Sequence, residues 1–392
     1  MRPLDGITVV SLEQAVAAPY AARQLADLGA RVIKIERLDG GDFSRTYDDK
    51  VLGLSSHFVW SNRSKESLAL DIKKPAGLRI LRQLLGQADV FIQNIAPGSV
   101  ARMGLTYDSL RLTNPGIIVC NISAFGKGGP DGARKAYDLL IQCETGLISI
   151  TGSPDEMAKV PISIADIATG MYAFTSILTA IIRRDRQGVG AEIDISMLEA
   201  LGEWMGYPMY YTTHGGTPPP RSGITHATIA PYGPFRAGDE RSVFFGIQNE
   251  REWKSFCEDV LQQPDLVNDP RFNSNTLRVQ HKAELTALIE RGFRQHSSRQ
   301  VLDLLEKSGI AYAQLNDVSA FASHPQLQAR SRWRPVATEA GTIDMLLPPV
   351  NLNGFDARME PVPALGEHSE SILRELGISP AEIDQLRRNS VI

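Results

Sequence analysis

Along the first third of the chain, short apolar runs alternate with longer amphipathic stretches. Ile7-Thr-Val-Val-Ser-Leu reads as a buried strand, and residues 19–28 as a helix stopped by Gly29. Arg31-Val-Ile-Lys-Ile-Glu is a second strand and residues 67–72 a third. A helix with Pro75 in its first turn follows to residue 88. Residues 89–94 and 116–122 give two further strands. Strands separated by helices at this spacing predict right-handed crossovers and a parallel sheet, an α/β fold. Ligands on such sheets sit beyond the carboxyl ends of the strands. Residues 15–18, Arg37, residues 94–98 and residues 123–129 fall at that edge.

A Gly-Gly-Thr-Pro-Pro-Pro-Arg-Ser-Gly stretch then breaks the pattern and reads as a linker at 215–224. Beyond it, a strand at 242–247, helices at 249–261, 282–293 and 300–307, a strand at 311–316 and a short helix at 318–322 indicate a smaller α+β domain over 225–329. The tail, with a strand at 342–347 and helices at 369–376 and 380–388, is expected to return to the large domain as residues 330–392, beside residues 1–214.

Apolar content of 43%, charged content of 22% and a net charge of −4 describe an ordinary globular protein with no field for general nucleic-acid attraction. The three cysteines, Cys120, Cys143 and Cys257, are too few and too widely spaced for a disulfide framework or a thiolate metal site. All three lie in apolar segments and read as core thiols. The N-terminal apolar run ends at Glu13, which argues against a signal peptide, and the apolar helix over 171–182 is read as too short to span a bilayer. A cytoplasmic location is the expectation. No G-x-G-x-x-G follows the first strand and no Walker A loop occurs, so a dinucleotide or nucleoside-triphosphate role loses its main support.

Asp166 carries the sharpest signal. An alternating stretch with Ile162 and Ile164 ends at it, and an apolar pattern runs on from Ile167 to about Ile182. The carboxylate is therefore either an N-cap, accepting bonds from free first-turn N–H groups, or a nucleophile poised at a helix terminus. Four blocks bear on the choice: residues 26–37 with Gly40-Gly-Asp, ending in Arg37 at a strand end; residues 62–75, with four cations; residues 93–105, a Pro-Gly turn leading to Arg102; and Ser123-Ala-Phe-Gly-Lys-Gly-Gly-Pro, followed by Arg134-Lys-Ala-Tyr-Asp. Each alone is also consistent with turn chemistry or a solvated face.

Together the blocks resemble one family. Leu4-Asp-Gly-Ile, Leu25-Ala-Asp-Leu-Gly-Ala, Val32-Ile-Lys-Ile-Glu, Gly41-Asp, Ser67-Leu-Ala-Leu-Asp, Asn94 with Pro97-Gly98, Tyr137-Asp, and Asp166 before its helix follow the order of the class III coenzyme A transferases. The resemblance implies a Rossmann-like large domain built from both chain ends, a smaller domain, and an interlocked homodimer. It implies acyl-CoA and a small carboxylic acid as substrates, with no metal or redox cofactor. Asp166 takes the nucleophile's place. The CoA-contacting positions fall on Ala15, Val16, Ala17, Arg37, Leu70, Lys73, Asn94, Ile95, Arg102, Met103, Lys135 and Tyr137.

The racemase branch of the same family places a His at the position of Ala136 or Tyr137. Its absence removes one of two proton carriers and favours transfer over isomerisation. Local blocks are most similar to the succinyl-CoA-dependent branch acting on C4–C5 dicarboxylates, with itaconate the first choice of acceptor and citramalate or mesaconate beside it. A formyl-CoA:oxalate type of transfer stands as an alternative. A second acceptor carboxylate calls for a cation, for which Arg45, Arg63, Lys65, Arg134, Arg221 and His226 are candidates. The family's glycine-rich loop that closes on the nucleophile matches the stretch near Arg221, which holds a single glycine, Gly223.

Overall fold

The computed structural model describes residues 1–392. The apolar runs of the N-terminal half form a six-stranded parallel sheet in the order β3-β2-β1-β4-β5-β6. Its strands are β1 (Thr8–Leu12), β2 (Arg31–Glu36), β3 (Lys65–Ala69), β4 (Val90–Gln93), β5 (Ile118–Ser123) and β6 (Ala191–Ser196). This is the doubly wound order, whose direction reverses between β1 and β4 and opens a crevice at their carboxyl ends. The third strand starts two residues earlier than the pattern suggests and ends at Ala69. β6 is an addition to the reading. It is an edge strand, with Ala191, Ile193 and Ile195 packing inward and Glu192 and Asp194 exposed.

Helix α1 (Ala17–Asp27) leaves β1 and lays an alanine stripe, Ala18, Ala21, Ala22 and Ala26, against the sheet and the long helix Ile164–Gln187. The long helix answers with small and branched residues, Ala173, Ile177, Ala180 and Ile181. At 24 residues it is long and apolar enough to cross a membrane by length and composition, unlike the shorter segment expected. Here one face of it belongs to the core. Gly170 permits the closest approach, since a Cβ there would stand 2.7 Å from the Ala17 carbonyl oxygen and 3.0 Å from the Tyr20 ring. Both helices run back along the sheet, which brings their N-termini to its carboxyl edge.

The chain divides into two compact units. The first holds residues 1–145, 160–206 and 327–392. Its C-terminal part is tied to β3: the His368 N–H donates to the Ser67 carbonyl (3.0 Å) and the Ala69 N–H to Ser369 Oγ (3.1 Å). The hairpin Trp333–Thr338 and Gly341–Leu346 packs Val336 and Met345 on Phe58 and Val59. The second unit holds residues 146–159 and 207–326. Residues 146–159 and 207–214, assigned to the large domain from sequence, pack with the second unit instead, and so does the 215–224 stretch. A three-stranded sheet, Tyr232–Arg236, Ser242–Gly246 and Tyr312–Ala313, carries an aromatic core of Phe235, Phe245, Phe256 and Phe293.

Cys120 and Cys257 are buried, and burial pushes both thiols up to about 12. Cys143 departs from the expectation of a core thiol. It lies on the exposed face of the helix Asp138–Glu144, whose buried positions are Ile141 and Gln142.

Candidate active site

The long helix begins at Ile164 with Ser163 as its N-cap, so Asp166 stands in its first turn and not at the cap position. The alternating stretch read as extended is therefore already helical at Ile164. The first-turn acceptor comes from elsewhere in the chain: the Ala165 N–H donates to Asp138 Oδ1 at 2.7 Å. Gln142 Nε2 donates to the other Asp138 oxygen at 2.7 Å and fixes its orientation. Because Asp138 fills the capping role, the Asp166 carboxylate is released from it and stays half-buried. Burial pushes its pKa up to about 7, the Asp138 charge adds to the rise, and the Ala17 backbone N–H pulls the other way. A carboxylate that titrates near neutrality beside two helix N-termini is an available base or nucleophile.

The turn between β1 and α1 is pinned from both sides. The Gln14 N–H donates to Asn94 Oδ1 (2.8 Å) while Asn94 Nδ2 donates to the Gln14 carbonyl (2.8 Å). The Ala15 N–H donates to Asp42 Oδ1 (3.0 Å). Val16, Ala17 and Leu70 have buried side chains, so any ligand contact from them is through backbone. Ile95 and Met103 are half-buried and pack on the sheet's core. Tyr137 is exposed and caps the helix that carries Asp138. Tyr47, absent from the sequence candidates, stands near Asp166. Burial, with the charges of Asp42 and Asp166, pushes its phenol up to about 12.

The cations separate into two groups. Arg45, Arg63 and Lys65, offered from sequence as receptors for a substrate carboxylate, are committed inside the protein. Arg63 is buried and forks onto Asp27 (2.8 and 2.7 Å). Arg45 forks onto Glu36 and lies over the Phe58 ring at 3.7 Å. Lys65 is buried against Glu13 at 2.6 Å. Arg134 is exposed and already paired with Asp131 and Glu144. By contrast Arg37, Lys73, Arg102 and Lys135 are exposed and form no ion pair. They follow β2, β3, β4 and β5 in turn, along the carboxyl edge of the sheet. Unpaired cations at that edge suit a phosphate-bearing ligand.

In the second unit, Arg221 donates to the carbonyls of Ser149 (3.2 Å), Ser153 (2.9 Å) and Pro154 (2.8 Å) and so fastens the 149–154 turn. His226 stacks on Tyr232 with ring centroids 5.2 Å apart, and burial with the Lys282 charge holds its pKa below the usual histidine range. Both side chains have structural partners where the sequence suggested substrate contacts.

The model of CoA-transferase family III matches residues 4–369. The chain belongs to that family. A succinate–glutarate CoA-transferase of Agrobacterium fabrum is 33% identical over 385 residues, covering 95% of this chain and 96% of that one. An acetyl-CoA:oxalate CoA-transferase of Acetobacter aceti is 33% identical over 384 residues, covering 97% of each. The crystal structure of a CAIB/BAIF family protein from Brucella suis superposes with a TM-score of 0.82 at 33% identity, over 96% of this chain and 99% of that one. The protein is thus a class III CoA-transferase. Among the residues that frame Asp166 in this transferase, sequence reasoning missed Asp138 as the capping partner, Gly170 as the contact point of the two helices, and Asp42 as the anchor of Ala15. The Gly41-Asp42 and Tyr137-Asp138 pairs were visible as motif members, but their partners, Ala15 and Ala165, are tertiary.

Proposed function

We propose that the protein transfers CoA from succinyl-CoA to a free C4–C5 dicarboxylate, with Asp166 as the nucleophile. Itaconate is the first acceptor to test, with citramalate and mesaconate. Glutarate joins them because a relative carries its name. The reading rests on one observation above others: Asp166 is half-buried, is relieved of capping by Asp138, and meets the N-terminus of α1. A cytoplasmic homodimer is part of the same proposal.

In this mechanism the ionised Asp166 attacks the thioester carbonyl of the donor, and the carbon–sulfur bond breaks to release CoA thiolate. A mixed anhydride between Asp166 and the donor acyl group remains. The thiolate attacks the Asp166 carbonyl, forms an aspartyl-CoA thioester and releases the donor acid as carboxylate. The acceptor carboxylate then displaces CoA from Asp166, and the thiolate returns to the acceptor's acyl carbon, regenerating the Asp166 carboxylate. Covalent catalysis divides the exchange into steps between species of similar energy. The first-turn amides of α1, at Ala17 and Ala18, have no partner in their own helix, and the Ala17 N–H, which bears on Asp166, is a donor for developing negative charge. Arg37, Lys73, Arg102 and Lys135 would hold the phosphates of CoA.

The test is CoA transfer from succinyl-CoA to a panel of free acids, with oxalate and glutarate included, beside Asp166→Ala. Transfer to one dicarboxylate that vanishes in the variant supports the reading, whereas full activity in the variant defeats it. Oxalate as the preferred acceptor would move the reading to the second branch, which the Acetobacter relative's name favours. Deuterium entering the α-carbon without an acceptor would point to isomerisation.

Two quantitative expectations accompany this reading. Arg37→Ala and Arg102→Ala should each raise KM for the acyl-CoA roughly 3- to 10-fold and leave kcat within about twofold, since phosphate contacts are made equally in ground and transition states. Steady-state kinetics in acyl-CoA checks this, and a kcat loss larger than the KM rise would contradict it. Asp138→Asn keeps an oxygen for the Ala165 N–H and removes a charge that raises the Asp166 pKa. The acidic limb of kcat/KM, expected near pH 7 in the native protein from the raised Asp166 carboxyl, should therefore move to lower pH. An unmoved limb would mean that Asp138 does not act on the titrating group.

A further inference from the structure

Ala15 is a non-glycine residue in the left-handed region, with φ of 64°, at the turn that delivers the chain from β1 into α1. Such a conformation persists in an alanine only where neighbours impose it. The structure supplies the constraint. Asp42 Oδ1 accepts the Ala15 N–H at 3.0 Å and the Ser44 N–H at 2.9 Å. Asp42 Oδ2 accepts Lys34 Nζ at 2.7 Å, and that ammonium is held from its other side by Glu13 Oε1 at 3.1 Å. Asp42, Lys34 and Glu13 are all fully buried. Asp42 is itself located by its own N–H, which donates to Glu36 Oε1 at 3.3 Å. A rigid charged group therefore grips the backbone two residues before Ala17, the residue whose N–H bears on the Asp166 carboxylate.

We propose that Asp42 is a positioning residue for the transfer reaction: by holding Ala15 left-handed it aims the first-turn amide of Ala17 at the acyl oxygen of the Asp166 adduct. The inference rests on Asp166 as the nucleophile. Asp42 touches neither substrate nor the reacting atoms. It acts through the Ala15 backbone, on groups that matter when negative charge develops on the acyl oxygen. The block Gly40-Gly-Asp, with Gly40 and Gly41 at φ of 70° and 65°, turns the chain so that this carboxylate points back to the β1 end.

A double-mutant cycle tests the proposal. Glycine adopts the left-handed region without a steric penalty, so in the Ala15→Gly background the turn needs the Asp42 anchor less. Asp42→Ala in the native background should lower kcat about 10- to 100-fold and change KM for acyl-CoA less than about threefold. The same substitution in the Ala15→Gly background should lower kcat, relative to Ala15→Gly alone, less than about threefold. All rates are taken per folded protein, from circular dichroism and thermal melts. Equal kcat losses in the two backgrounds overturn the proposal, because a carboxylate needed only to neutralise Lys34 would not respond to residue 15. Asp42→Asn is carried through the same cycle in case Asp42→Ala does not fold. Its oxygen remains for Ala15 and Ser44, so kcat should fall less than in Asp42→Ala, while the lost charge opposite Lys34 still lowers the melting temperature. An Asn variant that folds and shows the full, background-independent kcat loss counts against the proposal. Asp166→Ala, run alongside, reports separately on the nucleophile: if it stays active, the reading of Asp166 fails whatever the cycle shows.

Discussion

Asp166→Asn is expected to lower CoA transfer by at least about 10³-fold and, above neutral pH, to make the protein more stable. Both effects come from one environment. The amide cannot form the mixed anhydride, so the covalent route closes. The stability gain follows from linkage. Burial raises the Asp166 pKa from its ordinary value near 3.8 to about 7. Between those values the folded state holds a proton that the unfolded chain has released. Folding stability therefore falls as pH rises through that window, and by pH 8 the ionised carboxylate is a net cost. Removing it should return roughly 1–3 kcal/mol at pH 8 and little at pH 4. Denaturant unfolding of both proteins at the two pH values checks the sign. Equal stability differences at pH 4 and pH 8 would mean that Asp166 is not a desolvated acid. The pH–rate profile should agree, with kcat/KM of the native protein rising toward a plateau through about pH 7.

Such a stability–activity conflict separates a nucleophile from a cap. A capping carboxylate stabilises its helix, and its loss costs about 1 kcal/mol. In this fold that role belongs to Asp138, which reaches the Ala165 N–H from a different helix. Sequence alone left the two readings of Asp166 open because the deciding contact spans distant parts of the chain.

The same division runs through the rest of the fold. The parallel sheet was legible because its central strands are buried on both faces and read as unbroken apolar runs, Val9-Val10 and Val90-Phe91-Ile92 among them. β6 was missed although its alternation is regular, because an edge strand contributes few apolar residues between two helical segments. The hairpin's first strand, Trp333–Thr338, was hidden by its exposed arginine and proline. At the site, the exposed cations Arg37, Lys73, Arg102 and Lys135 stood at strand ends and were visible as such. The misassigned cations, Arg45 and Arg63, resemble them in sequence. What distinguishes them is a carboxylate in reach, Glu36 or Asp27, and no local pattern records that pairing. The 149–154 turn that occupies Arg221 is likewise distant in sequence.

The largest stability effect should come from Lys34. Its ammonium is fully buried between Glu13 and Asp42, and it lies 5.8 Å from the centre of the Phe58 ring. The surrounding carboxylates hold its pKa above the usual lysine range, against burial. Lys34→Met preserves much of the aliphatic length but leaves Asp42 without a cation, and Glu13 with Lys65 alone. Breaking a buried pair in this way costs about 3–5 kcal/mol, because the surviving charge stays desolvated. In the native protein Glu13 is held below the ordinary carboxylate range by Lys34 and Lys65, and Asp42 by Lys34 with the Ser44 and Ala15 N–H groups, both against burial. Their contribution is present above the unfolded carboxylate pKa and is lost as pH falls through the depressed folded value. Without Lys34 the depression of Asp42 reverses, and protonation relieves the buried charge. The variant's deficit should therefore be greatest at pH 7–8 and shrink toward pH 5, which urea unfolding across that range measures. A deficit that is independent of pH would instead assign the loss to packing around Phe58, and the charge network behind the β1–α1 turn would have to be regarded as electrostatically neutral to stability.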